Sequence, residues 1–388
     1  IVISLTLGLR ILQPDLVDRI EHITYDLRAR GAMAFRPPAA TNLGFVYIDE
    51  ATIRAVASGE FGNKYGLYWP RQVYGRAVQE LVDQGVRAIA LDVVFGELRQ
   101  DHPLARLPDG DLVESDEYFA RQMRQAGNVI LAVTPDVDLP GLFRTNAAFI
   151  ADITSEKDSD GVLRRARAFR DYRRWHPLFL QAAHDPELGV QLDRARVEPR
   201  RILLPRLDGS EVSIPLDADG NFEAADFIGE DLPPGMASRA RPFTTERVWH
   251  MGVVLAAQAL GLDLGRADVN LAAGRIVLSG DGNTKRVLPV DENGCLLIDW
   301  CMPPSDPRLR VEPFHALLAR NHARHQGATV AETNVWRGRL AVIGSAVAGG
   351  NDLTDRGATP LQPDTLLVSK HWNVANSIIM GRFVQRTS

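Results

Sequence analysis

The chain has 388 residues, 45% of them hydrophobic and 24% charged, with 44 Lys and Arg against 49 Asp and Glu, for a formal net charge of −5. That composition supports a sizeable core and excludes a disordered, collagen-like, coiled-coil or disulfide-scaffold protein. The weak acidity, without basic blocks, argues against nucleic acid as a partner.

Residues 1–12 form an apolar run shorter than the roughly 20 residues that cross a bilayer. They read either as a core segment or as the end of a transmembrane helix, and no other stretch approaches spanning length. Pro14 then opens a helix in which Leu16, Ile20, Ile23 and Leu27 make one apolar stripe, with Asp18, Arg19, Asp26 and Arg28 away from it. Gly31 and Arg36-Pro37-Pro38 stop it. If residues 1–12 leave a membrane, this helix links the bilayer to the folded domain.

A β-α-β pattern follows. Leu43 to Ile48 is a short strand closing on Asp49-Glu50, Pro70 opens a helix ending at Gly85, and Val86 to Phe95 is a continuous apolar run broken by Asp92. A helix near Ser115 to Gln125 and a strand from Asn128 to Val133 extend the alternation, which predicts a parallel sheet with crossover helices. The middle of the chain changes character. Asp-Gly and Asn-Gly pairs at 160, 208, 219, 281 and 293 signal tight turns, and short strands such as Ile202 to Leu204 with Val212 to Ile214 flank several of them. The nearly all-apolar stretch Val248 to Leu260 predicts a buried helix. Gly294 to Cys301 reads as one strand, which would hold Cys295 and Cys301 about 20 Å apart, too far for a disulfide. The alternation returns with a strand from Arg339 to Gly344 and a helix from about Leu366 to Met380. The predicted fold class is α/β: a mixed, largely parallel central sheet flanked by helices, with an antiparallel hairpin-rich insertion.

The most suggestive chemical feature is a set of acids at predicted strand ends: Asp49 and Glu50, Asp92 and Glu97, then Asp352 and Asp355. Ligands of open parallel sheets bind outside the carboxyl ends of the strands. Carboxylates gathered there suit a divalent cation or a polar ligand, although helix capping is the better single reading of an acid such as Asp49. Gly344 to Gly350 lacks the Lys of a phosphate loop, and the Glu156 to Gly161 segment lacks the last acid of a calcium loop, since Arg167 stands there. His315, His322 and His325 share a helix face without an evident carboxylate support, so a solvated face is the better reading. No nucleophile elbow, zincin motif or dinucleotide fingerprint is present.

The order of segments resembles the second class of CHASE domains (cyclase/histidine-kinase-associated sensory extracellular domains). The matching stretches are Val46-Tyr-Ile-Asp49-Glu50, Trp69-Pro70-Arg71, Gly85 to Phe95, Ala126-Gly-Asn128, Asp158-Ser-Asp160-Gly161 to Arg165, Trp336 to Gly344, and a terminal helix with Asn376 and Gly381-Arg-Phe. The resemblance implies a sensory input domain on the periplasmic or extracellular side of a membrane receptor. The output would be an adenylate or guanylate cyclase, a histidine or Ser/Thr kinase, or a diguanylate cyclase outside this chain, so no catalytic residue is expected within it. It makes residues 1–12 the end of a transmembrane helix and residues 13–388 the sensor domain, with about 188–300 an enlarged β-rich insertion. The candidate ligand-binding residues are Asp49, Glu50, Trp69, Arg71, Asp92, Glu97, Ser345 and Asp352. No cofactor is expected, and a divalent cation is the one metal candidate. The expected partners are an unidentified small ligand or periplasmic protein, the membrane through the flanking helices, and a second copy of the chain. The rival readings are an extracytoplasmic metal-dependent hydrolase built on Asp49, Asp92 and Asp352, and a ligand-free dimerisation scaffold.

Overall fold

The computed structural model describes residues 14–35, 37–107, 109–228, 237–328, 334–348 and 354–385. The apolar run of residues 1–12 and Asp352 lie outside these described residues. The chain divides into two units, one made of the residues up to Phe169 and from Trp249 onward, the other of Arg170–Val248.

The first unit is organised on six parallel strands, as the alternation predicts. They are β1 (Leu43–Ile48), β2 (Ala88–Val94), β3 (Val129–Val133), β4 (Phe149–Asp152), β5 (Arg310–Pro313) and β6 (Leu340–Ser345), in the spatial order β5-β1-β6-β2-β3-β4. Ile48 pairs with Ser345 and Leu91 with Ile343, so the carboxyl ends of β1, β6 and β2 come level. The helices that concern us are α1 (Pro14–Met33), α2 (Glu50–Ser58), α3 (Arg71–Asp83), α4 (Ser115–Ala126), α5 (Gly141–Asn146), α6 (Met251–Leu260), α7 (Phe314–His325) and α8 (Ser369–Met380). Leu43, Phe45, Ala88, Ala90, Ile130, Ala132, Leu340 and Val342 share a core with α6 and α8. The alternate residues Ile89, Leu91, Val129, Leu131, Ala341 and Ile343 are also buried, as strands covered on both faces require.

Helix α8 is buried from Ser369 to Ile378, although Ser369, Lys370, His371, Asn373, Asn376 and Ser377 are polar. The fold satisfies the two asparagines and the tryptophan of this stretch by hydrogen bonds to backbone. Asn373 Oδ1 accepts from the N–H groups of Cys301 and Met302 (3.0 and 2.9 Å), Trp372 Nε1 donates to the Met302 carbonyl (2.8 Å), and Asn376 Oδ1 accepts from Ala40 N (2.8 Å). These bonds also correct one expectation. Gly294 to Cys301 is not a single strand: only Cys295–Leu297 pairs as one, and by Cys301 the backbone donates to Asn373 instead. Both cysteines are free and buried, and burial foremost pushes each thiol up to about 12.

A second difference concerns α1. Its apolar stripe faces solvent, with Ile20, Ile23 and Leu27 at 52%, 59% and 59% exposure, while Tyr25 and Asp26 are turned inward. The polar pair wins the inward position because each finds a strong buried partner: Asp26 the Arg164 guanidinium and Tyr25 the Ile298 carbonyl.

The unit Arg170–Val248 contains a three-stranded antiparallel sheet of Arg196–Glu198, Arg201–Pro205 and Glu211–Pro215, the last two joined through the Asp208-Gly209 turn. Its core gathers Leu178, Phe179, Ile202, Leu204 and Phe222, with Trp175 stacked on Phe179. Another three-stranded antiparallel sheet, Leu262–Asn270, Arg275–Gly280 and Lys285–Pro289, belongs to the first unit.

The contact of α6 with α8 depends on Gly252. A Cβ at that position would lie 2.5 Å from the His371 carbonyl oxygen and 2.7 Å from Val374 Cβ. Gly252→Ala is therefore expected to destabilise the chain by about 1–3 kcal/mol through forced separation of the two helices, read as a lower denaturant midpoint.

Candidate functional site

Four of the anticipated residues come together at the ends of neighbouring strands, Asp49 and Glu50 just after β1, Asp92 on β2 and Ser345 on β6, and each is already engaged. Asp49 caps α2, accepting from Thr52 N and Thr52 Oγ1 at 2.8 and 2.7 Å, and His315 of α7 closes on the same threonine at 3.0 Å. Glu50 accepts a hydrogen bond from the backbone N–H of Ala348, bracing the turn after β6. Ser345 shares a 2.6 Å hydrogen bond with Thr354. Asp92 falls in register with Ala88 and Ala90, so it points toward α8 and stands 3.5 Å from His371 Nε2. Asp352, the remaining acid of the group, is outside the described residues.

Trp69, Arg71 and Glu97 belong to a neighbouring region. Trp69 is buried and stacks on Phe314, with ring centroids 5.8 Å apart. The Arg71 guanidinium lies 4.8 Å above the Phe95 ring and 3.8 Å from Asp116, and burial lowers its pKa. Glu97 is exposed; its carboxylate meets Arg99 at 3.4 Å and its backbone carbonyl faces Arg71. An open groove of about 570 Å³ lies beside Pro70, between Tyr65, Tyr68, His102 and Pro103.

Sequence reasoning missed the most unusual part of this end of the sheet. Around Asp92 the fold gathers Lys370 and His371 from the first turn of α8, His250 at the cap of α6, and Asp152 at the end of β4. Lys370 and His371 are 2% and 0% exposed. The Lys370 ammonium donates to Ser155 Oγ at 2.9 Å, and Ser155 in turn donates to Asp355 at 3.3 Å. His250 Nδ1 accepts from Gly252 N, and the His250 and His371 rings lie 5.2 Å apart. Burial raises the Asp92 carboxyl, but the imidazole of His371 and the Lys370 ammonium outweigh it and hold Asp92 below its ordinary value. Burial, and then Lys370, lower His371, against the opposing pull of Asp92 and Asp152. The segment His371-Trp372 gave no signal by itself, because a histidine in an apolar helix reads as core.

A second polar centre lies where α1 meets the body. Arg164, nearly fully buried, donates to both oxygens of Asp26 at 2.8 Å, to Asp160 at 2.9 and 2.8 Å and to Asp158 at 3.0 Å. His22, Asp158 and Asp160 bring ligand atoms within 4.8 Å of one another, the spacing of a metal group among the described residues. Arg164 contacts both of those carboxylates and so already supplies the positive charge there. A cavity of about 70 Å³ adjoins this centre, lined by Glu21, His22, Tyr25 and Arg28 of α1 and by Val384 and Gln385 after α8. Among the described residues, no helix is long and apolar enough to cross a membrane.

Compared with known families, residues 1–388 match the family model of the CHASE2 domain, which is an extracellular sensory domain of signalling receptors rather than a catalytic one. No curated protein and no solved structure matches the chain.

Removing one partner of a buried ion network leaves uncompensated charge, which costs about 3–5 kcal/mol. Arg164→Met is expected to loosen α1 in particular, read as faster amide exchange between residues 20 and 30 with the central strands still protected.

Proposed function

The chain belongs to the CHASE2 domain family, and from that premise we propose that it is the extracytoplasmic input domain of a membrane-bound receptor, signalling through its first and last helices. One observation carries this reading: both helical ends dock on one short segment, Leu297 to Asp299, at successive residues. From α1, Tyr25 donates to the Ile298 carbonyl at 2.7 Å. Beyond α8, Val384 pairs with Leu297, and Arg382 meets Asp299 at 2.7 Å. A displacement of either segment therefore acts on a support that the other shares. The opposite end of α8 enters the polar cluster at Asp92, so one rigid helix joins the rim of the sheet to that support.

In this reading the rim is the sensing end, where Asp49, Glu50, Asp92 and Ser345 serve an unidentified small ligand or a periplasmic protein, with a divalent cation as an alternative occupant. Ligand control requires different affinities for two arrangements of the terminal helices. The flanking sequence runs into the membrane and on to an output domain of the cyclase, kinase or diguanylate cyclase kind. A second copy of the chain fits the outward stripe of α1, since Ile20, Ile23 and Leu27 recur at the three- and four-residue spacing of a two-helix seam. The hydrolase reading is weaker, because the family the chain belongs to is a sensory and not a catalytic domain.

Two tests follow. In the intact receptor, cysteines at Glu21 and Gln385 can be joined by a short thiol cross-linker while the buried, high-pKa Cys295 and Cys301 stay unreactive. The cross-link is expected to freeze output in one state; output that still follows stimulus would overturn transmission through the ends. Ile23→Asp is expected to shift the receptor from dimer to monomer in sedimentation, and an unchanged mass would exclude the α1 seam.

A further inference from the structure

We propose that His371 is a proton-binding site at the head of α8, so that acidity of the extracytoplasmic space is an input of this domain. The inference rests on the sensor reading above for its biological meaning, but not for its chemistry. Other buried polar side chains on α8 have partners: Asn373, Asn376 and Trp372 bond to the body, Lys370 to Ser155 and Ser377 to the Asn373 carbonyl. His371 is 0% exposed, yet neither ring nitrogen makes a hydrogen bond among the described residues. A buried polar group left in this state is costly, and one held beside a carboxylate is a natural acceptor for a proton.

The surroundings determine what a proton would do. Facing the ring are Asp92 from β2, Lys370 from its own helix, Asp152 from β4 and His250 from the cap of α6. These are two acidic side chains, one lysine and a second imidazole, all packed against a ring without a hydrogen bond among the described residues. His250 is kept as an acceptor by the N–H of Gly252, so protonating its Nδ1 would break the cap of α6. His371 has no such bond to lose. A proton taken from solvent by the ring gives an imidazolium whose Nε2–H can close the 3.5 Å gap to Asp92 into a charge-assisted hydrogen bond. The same positive charge repels Lys370, its neighbour on the helix. Both forces act on the first turn of α8, whose backbone is packed at Gly252 without room to spare. Protonation is thus coupled to a small rotation of that turn.

Burial and Lys370 hold His371 below the ordinary histidine value of about 6.5, so the unfolded chain takes up the proton first. Stability is complete above about pH 6.5 and falls as the pH drops from there to the folded-state value, by up to about tenfold in the folding equilibrium per pH unit.

The test is a histidine side-chain NMR titration of the chain from pH 8 to 4.5, with amide exchange read at residues 369–374. We expect one histidine resonance, lost in His371→Gln, to titrate below 6.5 while exchange near Lys370 quickens. Asp92→Asn should move that midpoint lower still, because it removes a carboxylate that favours the charged ring. A resonance that stays neutral until the chain unfolds, or an unchanged acid response in His371→Gln, would overturn the site. If His371→Gln does not fold, Asp92→Asn supplies the same decision through the direction of its midpoint. Output of the intact receptor between pH 7.5 and 5.5 is read separately. Titration without any output change would leave the proton site standing and refute its use as a signal.

Discussion

One buried guanidinium decides how the first helix sits on the domain. Arg164 occupies the space between α1 and the turn at Asp158–Gly161, and three aspartates converge on it. So concentrated a charge arrangement tolerates little displacement, because a shifted carboxylate leaves a neighbour unpaired in a low-dielectric setting. The orientation of α1, the outward placement of its apolar residues and the cavity beside Tyr25 all follow from that one set of bonds. An apolar stripe would ordinarily choose the core. Here the helix turns Tyr25 and Asp26 inward to their buried partners and leaves Ile20, Ile23 and Leu27 exposed.

The central sheet and most of its crossovers were legible in the sequence, for a physical reason. Strands buried on both faces must be continuously apolar, so Leu43 to Ile48, Val86 to Phe95, Asn128 to Val133 and Arg339 to Gly344 stand out from their surroundings. The edge strand Arg310–Pro313 did not, since Arg-Val-Glu-Pro carries no periodicity and is recruited by pairing with β1. The long strand Leu262–Asn270 was hidden by its half-exposed, charged pattern. Gly294 to Cys301 misled because apolar content does not show where backbone donors go, and those of Cys301 and Met302 go to Asn373.

The candidate site was legible only in outline. Acids after strand ends mark the rim by topology alone, and Asp49, Glu50, Asp92 and Ser345 do gather there. What each does depends on partners remote in sequence: His315 at the Asp49 cap, Ala348 on Glu50, His371 on Asp92. Neither Lys370 nor His371 could be singled out beforehand, because a buried cation and an unbonded imidazole are properties of the assembled fold. The rim and the terminal support are joined by α8, whose polar side chains fasten it along nearly its whole length, and a helix fastened in that way moves as one piece.

The smaller unit leaves the body at Phe169 and returns at Trp249, and the body itself clasps those two points. The Phe169 and Trp249 rings meet edge to face at 5.4 Å, and His250 N donates to the Ala168 carbonyl at 2.9 Å. A segment whose two roots are held together by its host is an exchangeable cassette. Its length can change at little cost to the host, since closing a longer loop adds only about 0.6 kcal/mol per doubling. This junction is therefore where a segment of another length could be grafted without rebuilding the core.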